Sequence, residues 1–186
     1  MLGKKILFSL FSVFLCYQSY QLVTHIVNTN PSVYSLTEII ITAYLLNLFI
    51  TGIFAFVGFV FPTNKILGTG YYRIKNPSLL KRVYAILQVE IFRKLLLFFF
   101  WGRGKNRAQY FNGTRQGLAN FSYQSRQSEI GHLLALVFIG SVCIALLLFG
   151  HYQIVTIATI INVIGNLYPI ILQRHHRIRI DRILNS

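Results

Sequence analysis

The sequence has little acidic charge and few of the residues that build disulfide or metal sites. Of its 186 residues, four are Asp or Glu and two are Cys. Carboxylate-bridged metal centres of helical bundles need two Glu-x-x-His motifs and further carboxylates at one site, so four acidic residues in the whole chain make such a centre an unsuitable explanation. Cys16 and Cys143 both lie inside apolar runs, so neither a disulfide framework nor a soluble metal–cysteine site is predicted. Charged residues make up 12% of the chain, about half the share of a soluble domain.

The composition of the chain is apolar and strongly basic. Hydrophobic residues make up 54%, and 18 Lys and Arg give a formal net charge of +14. On a soluble protein such a charge would suggest a nucleic-acid partner. Here the apolar residues fall in long runs, which predicts an integral membrane protein with no nucleic-acid partner. We expect an all-α fold forming one membrane domain over residues 1–186.

Four apolar stretches approach the roughly 20 helical residues that cross a bilayer core. They cover residues 6–27, 39–61, 132–150 and 153–173. No Ala-x-Ala-like cleavage site follows the first, which predicts an uncleaved helix and not a signal peptide. The run from Ser35 to Glu38 matches a capping box at the start of the second. Gly150–Gln153 predicts a tight turn between the last two.

The basic residues all fall on one side of this topology. Two precede the first span, twelve lie between Thr63 and Gly131, four follow Gln173, and the other connections have none. Because Lys and Arg are retained on the cytoplasmic side, both termini and the middle segment are predicted to be cytoplasmic. The expected location is the cytoplasmic (inner) membrane of a bacterium, with several spans.

The cytoplasmic segment 63–131 divides into two parts. Residues 78–100 predict one amphipathic helix with a narrow polar stripe, lying in the membrane interface or re-entering the membrane. Residues 101–131 are rich in Gly, Asn, Gln, Ser and Arg. They predict a long connection without regular structure, which is commonly functional or disordered.

The last span carries a row of polar residues at helical spacing. Thr159, Asn162, Asn166, Pro169, Gln173 and Arg177 are 3 or 4 residues apart, which places them on one helix face. Such residues can be hydrogen-bonding contacts between membrane helices. A face that ends in arginines also suits an anionic ligand. Pro169 lacks an N–H, so it frees the carbonyl of Gly165.

Glu129 and His132 lie one turn apart at the start of the third span. A carboxylate beside a histidine orients the ring and raises its basicity, as a general base requires. The alternative is a plain helix N-terminus, with Ser128 as cap and Glu129 at the positive end of the dipole. His175 and His176 are adjacent and point in different directions on a helix, so no metal site is predicted there.

Several segments together resemble one family. They are Gly70-Tyr-Tyr-Arg-Ile, Leu87-Gln-Val-Glu-Ile-Phe-Arg-Lys-Leu-Leu, Glu129-Ile-Gly-His132, and Asn166-Leu-Tyr-Pro-Ile-Ile-Leu-Gln-Arg-His-His-Arg-Ile-Arg179. Over about residues 70–180 the chain resembles the glycosyl-4,4'-diaponeurosporenoate acyltransferases, which are small bacterial membrane proteins. The named member esterifies a fatty acyl chain to the glucose of a carotenoid glycoside.

The resemblance implies an acyltransferase whose substrates are an acyl donor, acyl-CoA or another, and a lipid-linked or glycosylated acceptor. It assigns no bound cofactor. The hypothesis makes His132 the general base, oriented by Glu129, with Asn166 and Gln173 donating to the acyl oxyanion. Asn162, on the polar face of the last span, is also predicted to contact substrate. The phosphates of the donor would bind the basic residues Arg174, Arg177, Arg179, Arg103, Lys105 and Arg107.

Two other functions are compatible with the residues. One is a non-catalytic membrane subunit, whose polar face contacts another membrane protein while the basic segment binds anionic lipid. The other is a small membrane reductase or methyltransferase, although the chain contains no glycine-rich nucleotide fingerprint to support it.

Overall fold

The fold is helical throughout the part of the chain that the computed structural model describes, residues 2–101 and 115–184, and no strand occurs there. The eight α-helices in these ranges are α1 Leu2–Asn28, α2 Leu36–Val60, α3 Thr69–Tyr72, α4 Pro77–Ile86, α5 Val89–Leu96, α6 Arg115–Leu148, α7 Tyr152–Asn162 and α8 Tyr168–Leu184. Short 3₁₀ turns lie at Pro31–Val33 and Thr63–Lys65. Single π-helical turns lie at Leu97–Trp101 and Val163–Leu167.

Four helices are long and apolar enough to cross a membrane. They are Leu2–Asn28, Leu36–Val60, Gly117–Leu148 and Tyr152–Ile183. The last runs continuously through α7, the π-helical turn and α8. The all-α class and the number of candidate spans predicted from the sequence are therefore confirmed.

The predicted capping box at the start of α2 is present. Ser35 Oγ accepts from the backbone N–H of Glu38 at 3.4 Å, and Glu38 Oε2 accepts from the backbone N–H of Ser35 at 2.8 Å. Two backbone donors that a helix N-terminus leaves unpaired are thereby satisfied.

Ser35→Ala removes one half of this box. We expect it to lower the free energy of unfolding by about 1 kcal/mol, the usual cost of losing an N-cap side chain. Chemical unfolding in detergent would measure this. Ser32→Ala is the matched control, because Ser32 is exposed in the preceding 3₁₀ turn and caps no α-helix. Equal losses for the two variants would contradict the prediction.

Two segments differ from the sequence prediction. The single helix expected at 78–100 is divided into α4 and α5 at Gln88, whose φ of 52° is left-handed and ends the first helix. The unstructured connection expected up to Gly131 is helical from Arg115. Its polar residues are compatible with a helix because one face is buried, including Ser122, Ser125 and Glu129.

The chain divides into two compact units. Unit 1 comprises Met1–Thr63 and Gly131–Leu167. Its core contains apolar side chains from four helices, including Ile26, Leu46, Ile139 and Ile154. In this unit α1 packs along α2, and α2 packs along α7. Asn47 joins the second pair, since its Nδ2 donates to the carbonyl of Ala158 at 3.1 Å.

Unit 2 comprises Asn64–Ile130 and Tyr168–Ser186. Here α4 and α5 both pack against α8. Most of the charged side chains of the described residues belong to this unit, whereas the core of unit 1 is largely uncharged. The two units therefore provide different chemistry.

Candidate functional site

The polar residues predicted as a site fall into two clusters, one in each unit. The first, here called the histidine–asparagine cluster, comprises Thr51, His132, Asn162 and Asn166 in unit 1. His132 Nδ1 lies 2.9 Å from Asn166 Oδ1. Asn166 Nδ2 lies 2.9 Å from Asn162 Oδ1 and 3.1 Å from Thr51 Oγ1. Asn162 and Asn166 are 5% and 1% exposed, so these hydrogen bonds are largely shielded from water.

The hydrogen bonds fix the proton on His132. Asn162 Nδ2 donates to the backbone carbonyl of Leu136 at 3.0 Å, and a carbonyl can only accept. Asn162 Oδ1 is therefore the acceptor that faces Asn166 Nδ2, and Asn166 Oδ1 faces the ring. An amide oxygen can only accept, so His132 Nδ1 carries the hydrogen. In the neutral ring Nε2 then has a free lone pair.

A π-helical turn presents Asn166 to the ring. Residues 163–167 form this turn in the middle of the fourth candidate span. Such turns leave backbone carbonyls without their usual partners and are frequent at functional sites. The carbonyl of Gly165, which the sequence predicts to be free, lies in the same turn. The turn thus places the Asn166 side chain against His132.

The second cluster, here called the arginine–glutamate cluster, lies in unit 2. Glu129 is fully buried, and both of its carboxylate oxygens accept hydrogen bonds from arginines of α8. Arg174 Nε donates to Oε1 at 2.7 Å, and Arg177 Nη2 donates to Oε2. The same arginines donate to the backbone carbonyls of Tyr71 at 3.1 Å and Tyr72 at 3.4 Å.

These partners differ from the pairing that the sequence suggests. Glu129 was expected to orient His132, but its two oxygens are occupied by guanidinium groups, and the ring of His132 is held by Asn166. Charged donors bind a buried carboxylate more strongly than a neutral imidazole does. Asn166 was expected to donate to an oxyanion, but its N–H₂ group donates to Asn162 and Thr51.

Two tyrosine rings line the arginines. The Arg174 guanidinium lies 4.6 Å from the centroid of the Tyr71 ring, and Arg126 and Arg177 each lie 5.3 Å from that of Tyr72. Burial, together with the negative charge of Glu129, raises the pKa of Tyr72 to about 12 and raises that of Tyr71. Both phenols are therefore protonated at neutral pH.

The arginine–glutamate cluster has an excess of positive charge. It contains three guanidinium groups but one carboxylate: Glu129 pairs with Arg174 and Arg177, and Arg126 lies over the ring of Tyr72. Arg126 Nε is buried without a hydrogen-bond partner among the described residues. Arg126 was not predicted from the sequence. Its position one turn before Glu129 on the same helix is a signal that could have identified it.

A smaller ionic group lies on α4 and α5. Glu90 accepts from Arg93 Nε at 2.8 Å and from the hydroxyl of Tyr84 at 2.7 Å. These hydrogen bonds lower the pKa of Glu90 to about 2, so its carboxylate is ionised at neutral pH. The ring of Tyr84 also stacks on His175 with centroids 4.0 Å apart. Within residues 2–101 and 115–184 no group of three His, Cys, Asp or Glu could hold a metal ion.

The remaining predicted site residues lie apart from these contacts. Gln173 is half-buried on α8, and Arg179 is exposed on the same helix. Arg103, Lys105 and Arg107 lie outside the described residues. Thr51, on α2, belongs to the histidine–asparagine cluster but was not predicted, because nothing in the local sequence of that span relates it to Asn166.

Comparison with known protein families gives a match to the second part of the chain. The model of the glycosyl-4,4'-diaponeurosporenoate acyltransferase family matches residues 68–186. The match includes Glu129, His132, Asn166 and all three arginines of the second cluster, whereas α1, α2 and Thr51 lie outside it. No curated protein and no solved structure gives a significant match. Since the matched segment is more than half of the chain, the protein belongs to the glycosyl-4,4'-diaponeurosporenoate acyltransferase family.

Proposed function

We propose that this protein transfers a fatty acyl group to a hydroxyl or amine of a membrane-associated acceptor, such as a glycolipid, in a cavity open to the cytoplasm. The observation that carries this proposal is the 2.9 Å contact between His132 Nδ1 and Asn166 Oδ1. Because the amide oxygen can only accept, Nδ1 holds the hydrogen and Nε2 has the free lone pair that a general base needs. The same use of an asparagine to orient a catalytic histidine occurs in cysteine proteases of the papain type.

The proposed reaction needs two proton transfers, one from the acceptor to His132 and one from His132 to the leaving group. His132 Nε2 takes the proton of the acceptor hydroxyl as the oxygen attacks the acyl carbonyl. The resulting tetrahedral oxyanion collapses, the bond from the acyl carbon to the donor's sulfur or oxygen breaks, and His132 returns the proton to that leaving atom. The products are the acylated acceptor and the protonated leaving group, so atoms and charge balance. Gln173 remains a proposed donor to the oxyanion.

The basic residues would recognise the donor. Acyl-CoA and phospholipids both carry phosphate, for which bidentate guanidinium groups are suited. Arg174 is the member of the arginine–glutamate cluster that we propose for this role, because its side chain is 30% exposed whereas that of Arg177 is fully buried. Arg177 would then hold Glu129 and Arg174 in place. Arg179, Arg103, Lys105 and Arg107 remain proposed phosphate contacts.

Lipid mass spectrometry would test the proposal. Membranes with and without the protein are supplied with a labelled acyl-CoA or with a phospholipid labelled in its acyl chain. We expect a labelled acyl ester or amide that forms only when the protein is present, and the productive donor identifies the phosphate that is bound. If no new acylated lipid forms from either donor, the non-catalytic membrane subunit becomes the better hypothesis.

Thr51→Val tests whether the histidine–asparagine cluster supports catalysis. The variant keeps the shape of the side chain but removes the oxygen that accepts from Asn166 Nδ2. Loss of one such hydrogen bond is worth about 1 kcal/mol, so we expect turnover to fall by about fivefold. Thr156→Val is the control, because Thr156 is exposed and bonds only the carbonyl of Tyr152 within its own helix. Equal activity of the two variants would exclude Thr51 from the site.

A further inference from the structure

Unit 1 contains a polar pocket, formed where the connection between α1 and α2 meets the turn between α6 and α7. Its volume is about 360 Å³, within the size range of small-molecule sites and far above the roughly 30 Å³ that one water occupies. Ser32, Tyr152 and Gln153 are exposed at its rim, whereas His151 and Ile39 are buried in its wall.

Two side chains of this region carry polar atoms with no partner. His151 is 2% exposed, and its ring lies near the backbone carbonyl of Ile26, so at least one of its nitrogens has no hydrogen-bond partner among the described residues. The hydroxyl oxygen of Tyr34 is also buried without a partner, and the two rings meet edge to face with centroids 6.1 Å apart. Buried polar groups are nearly always hydrogen-bonded. Leaving one unpaired costs about 1–3 kcal/mol, so these atoms imply an occupant.

The lining carries no formal charge. It contains no Lys, Arg, Asp or Glu. Burial lowers the pKa of His151, and the nearby carbonyl of Ile26 offsets only part of that effect, so the ring is neutral at pH 7. A neutral imidazole offers one donor and one acceptor, and a phenol offers both. An anion would find no cation here, whereas a hydroxyl group matches these partners.

The pocket is distinct from the proposed catalytic site. His132 and Leu148 lie on the same continuous helix, α6. At about 1.5 Å per residue, they are about 24 Å apart along it. The pocket therefore adjoins the C-terminal end of α6, whereas the histidine–asparagine cluster lies near the middle of that helix. In the predicted orientation it faces the extracytoplasmic side, at the depth of lipid head groups.

We propose that this pocket binds an uncharged, hydroxyl-rich group, a polyol or sugar, through Tyr34 and His151. The hydroxyls of the ligand pair with the ring nitrogens and the phenol, and its C–H faces pack on the aromatic rings. The group is either the head group of a neutral lipid or a free molecule from outside the membrane. The site is for binding only and does not depend on the proposed acyl transfer.

The test offers three probes to the full-length protein in detergent. Native mass spectrometry measures retention of monohexosyl diacylglycerol and of diacylglycerol, which lacks the head group. Binding of free methyl hexoside is followed through the histidine resonances of ¹⁵N-labelled protein. Tyr34→Phe and His151→Phe are compared with Tyr44→Phe, a matched change at an exposed tyrosine of α2 that does not line the pocket.

We expect the hexosyl lipid or the hexoside to bind, and diacylglycerol not to. Tyr34→Phe should weaken that binding by about five- to tenfold, as the loss of one hydrogen bond predicts, while Tyr44→Phe leaves it unchanged. Tyr34→Phe should not lower the unfolding temperature, because the hydroxyl has no partner in the protein. This variant keeps the test valid if His151→Phe does not fold. The proposal is overturned if neither the hexosyl lipid nor the hexoside binds and the pocket holds water only. It is also overturned if Tyr34→Phe binds these probes as well as the native chain does.

Discussion

Replacing His132 with alanine is expected to lower acyl transfer by about 10²- to 10⁴-fold, the usual contribution of a general base. The variant removes Nε2, the ring nitrogen whose lone pair stays free because Nδ1 makes the hydrogen bond to Asn166. The change in stability should be small by comparison, because the ring contributes one side-chain hydrogen bond within unit 1. Initial rates of labelled acyl transfer, together with unfolding temperatures, would separate the two effects.

The matched control is His25→Ala, since His25 is an exposed histidine of α1 in the same unit. It should retain native activity. Added imidazole should restore part of the activity of His132→Ala by supplying a base in the vacated space, which a purely structural role would not allow. Near-native turnover of His132→Ala with a normal unfolding temperature would remove this residue from the mechanism.

The histidine–asparagine cluster shows why packing and catalysis are not exclusive explanations of polar residues in apolar helices. Asn162 donates to the carbonyl of Leu136 on α6, as a residue that joins two membrane helices does. The same contact determines which atom of Asn166 faces His132. Hydrogen bonds that hold the helices together therefore also select the tautomer of the proposed base.

Much of this cluster could be predicted from the sequence. A spacing of four residues places Asn162 and Asn166 on one helix face wherever that helix is located. Their partner Thr51 lies 115 residues from Asn166 along the chain. Which residue of α2 faces Asn166 depends on how α2 packs along α7, and helical periodicity in one segment contains no information about that packing.

For Glu129 the local pattern predicted the wrong partner, because residues distant in sequence bind its carboxylate. Its spacing from His132 made the histidine a reasonable partner. Arg174 and Arg177 lie 45 and 48 residues away in sequence, and they reach the carboxylate through the packing of unit 2. With four acidic residues against 18 Lys and Arg, competition of arginines for any buried carboxylate is to be expected.

The helix boundaries differ from the prediction for local reasons. Composition alone suggested a non-helical segment up to Gly131, yet several of its residues, including Leu118, Ala119 and Arg126, are good helix formers. The division of the expected helix at Gln88 depends on one left-handed residue. Glutamine has no special preference for that conformation, so the sequence carries no signal for the break.

Glu129→Gln is expected to have the largest effect on stability. It keeps the shape of the side chain but leaves the fully buried guanidinium of Arg177 without its counter-charge. Breaking a buried ion pair by removing one partner costs about 3–5 kcal/mol. Chemical unfolding of the purified protein in detergent would measure the loss. Glu90→Gln is the control, because the Glu90 side chain is 41% exposed in its pair with Arg93, and such pairs contribute about 0.2–1 kcal/mol.

A double-mutant cycle separates the cost of the unpaired charge from other effects of the substitution. Arg177→Met removes the charge that Glu129→Gln leaves unpaired, so the double variant should be more stable than Glu129→Gln alone. If Glu129→Gln and Glu90→Gln lose equal stability, the pairing of Glu129 with the arginines of α8 is excluded. If instead Glu129→Gln folds normally and the pH dependence of its turnover changes, Glu129 acts on the proposed base His132 and not as the anchor of unit 2.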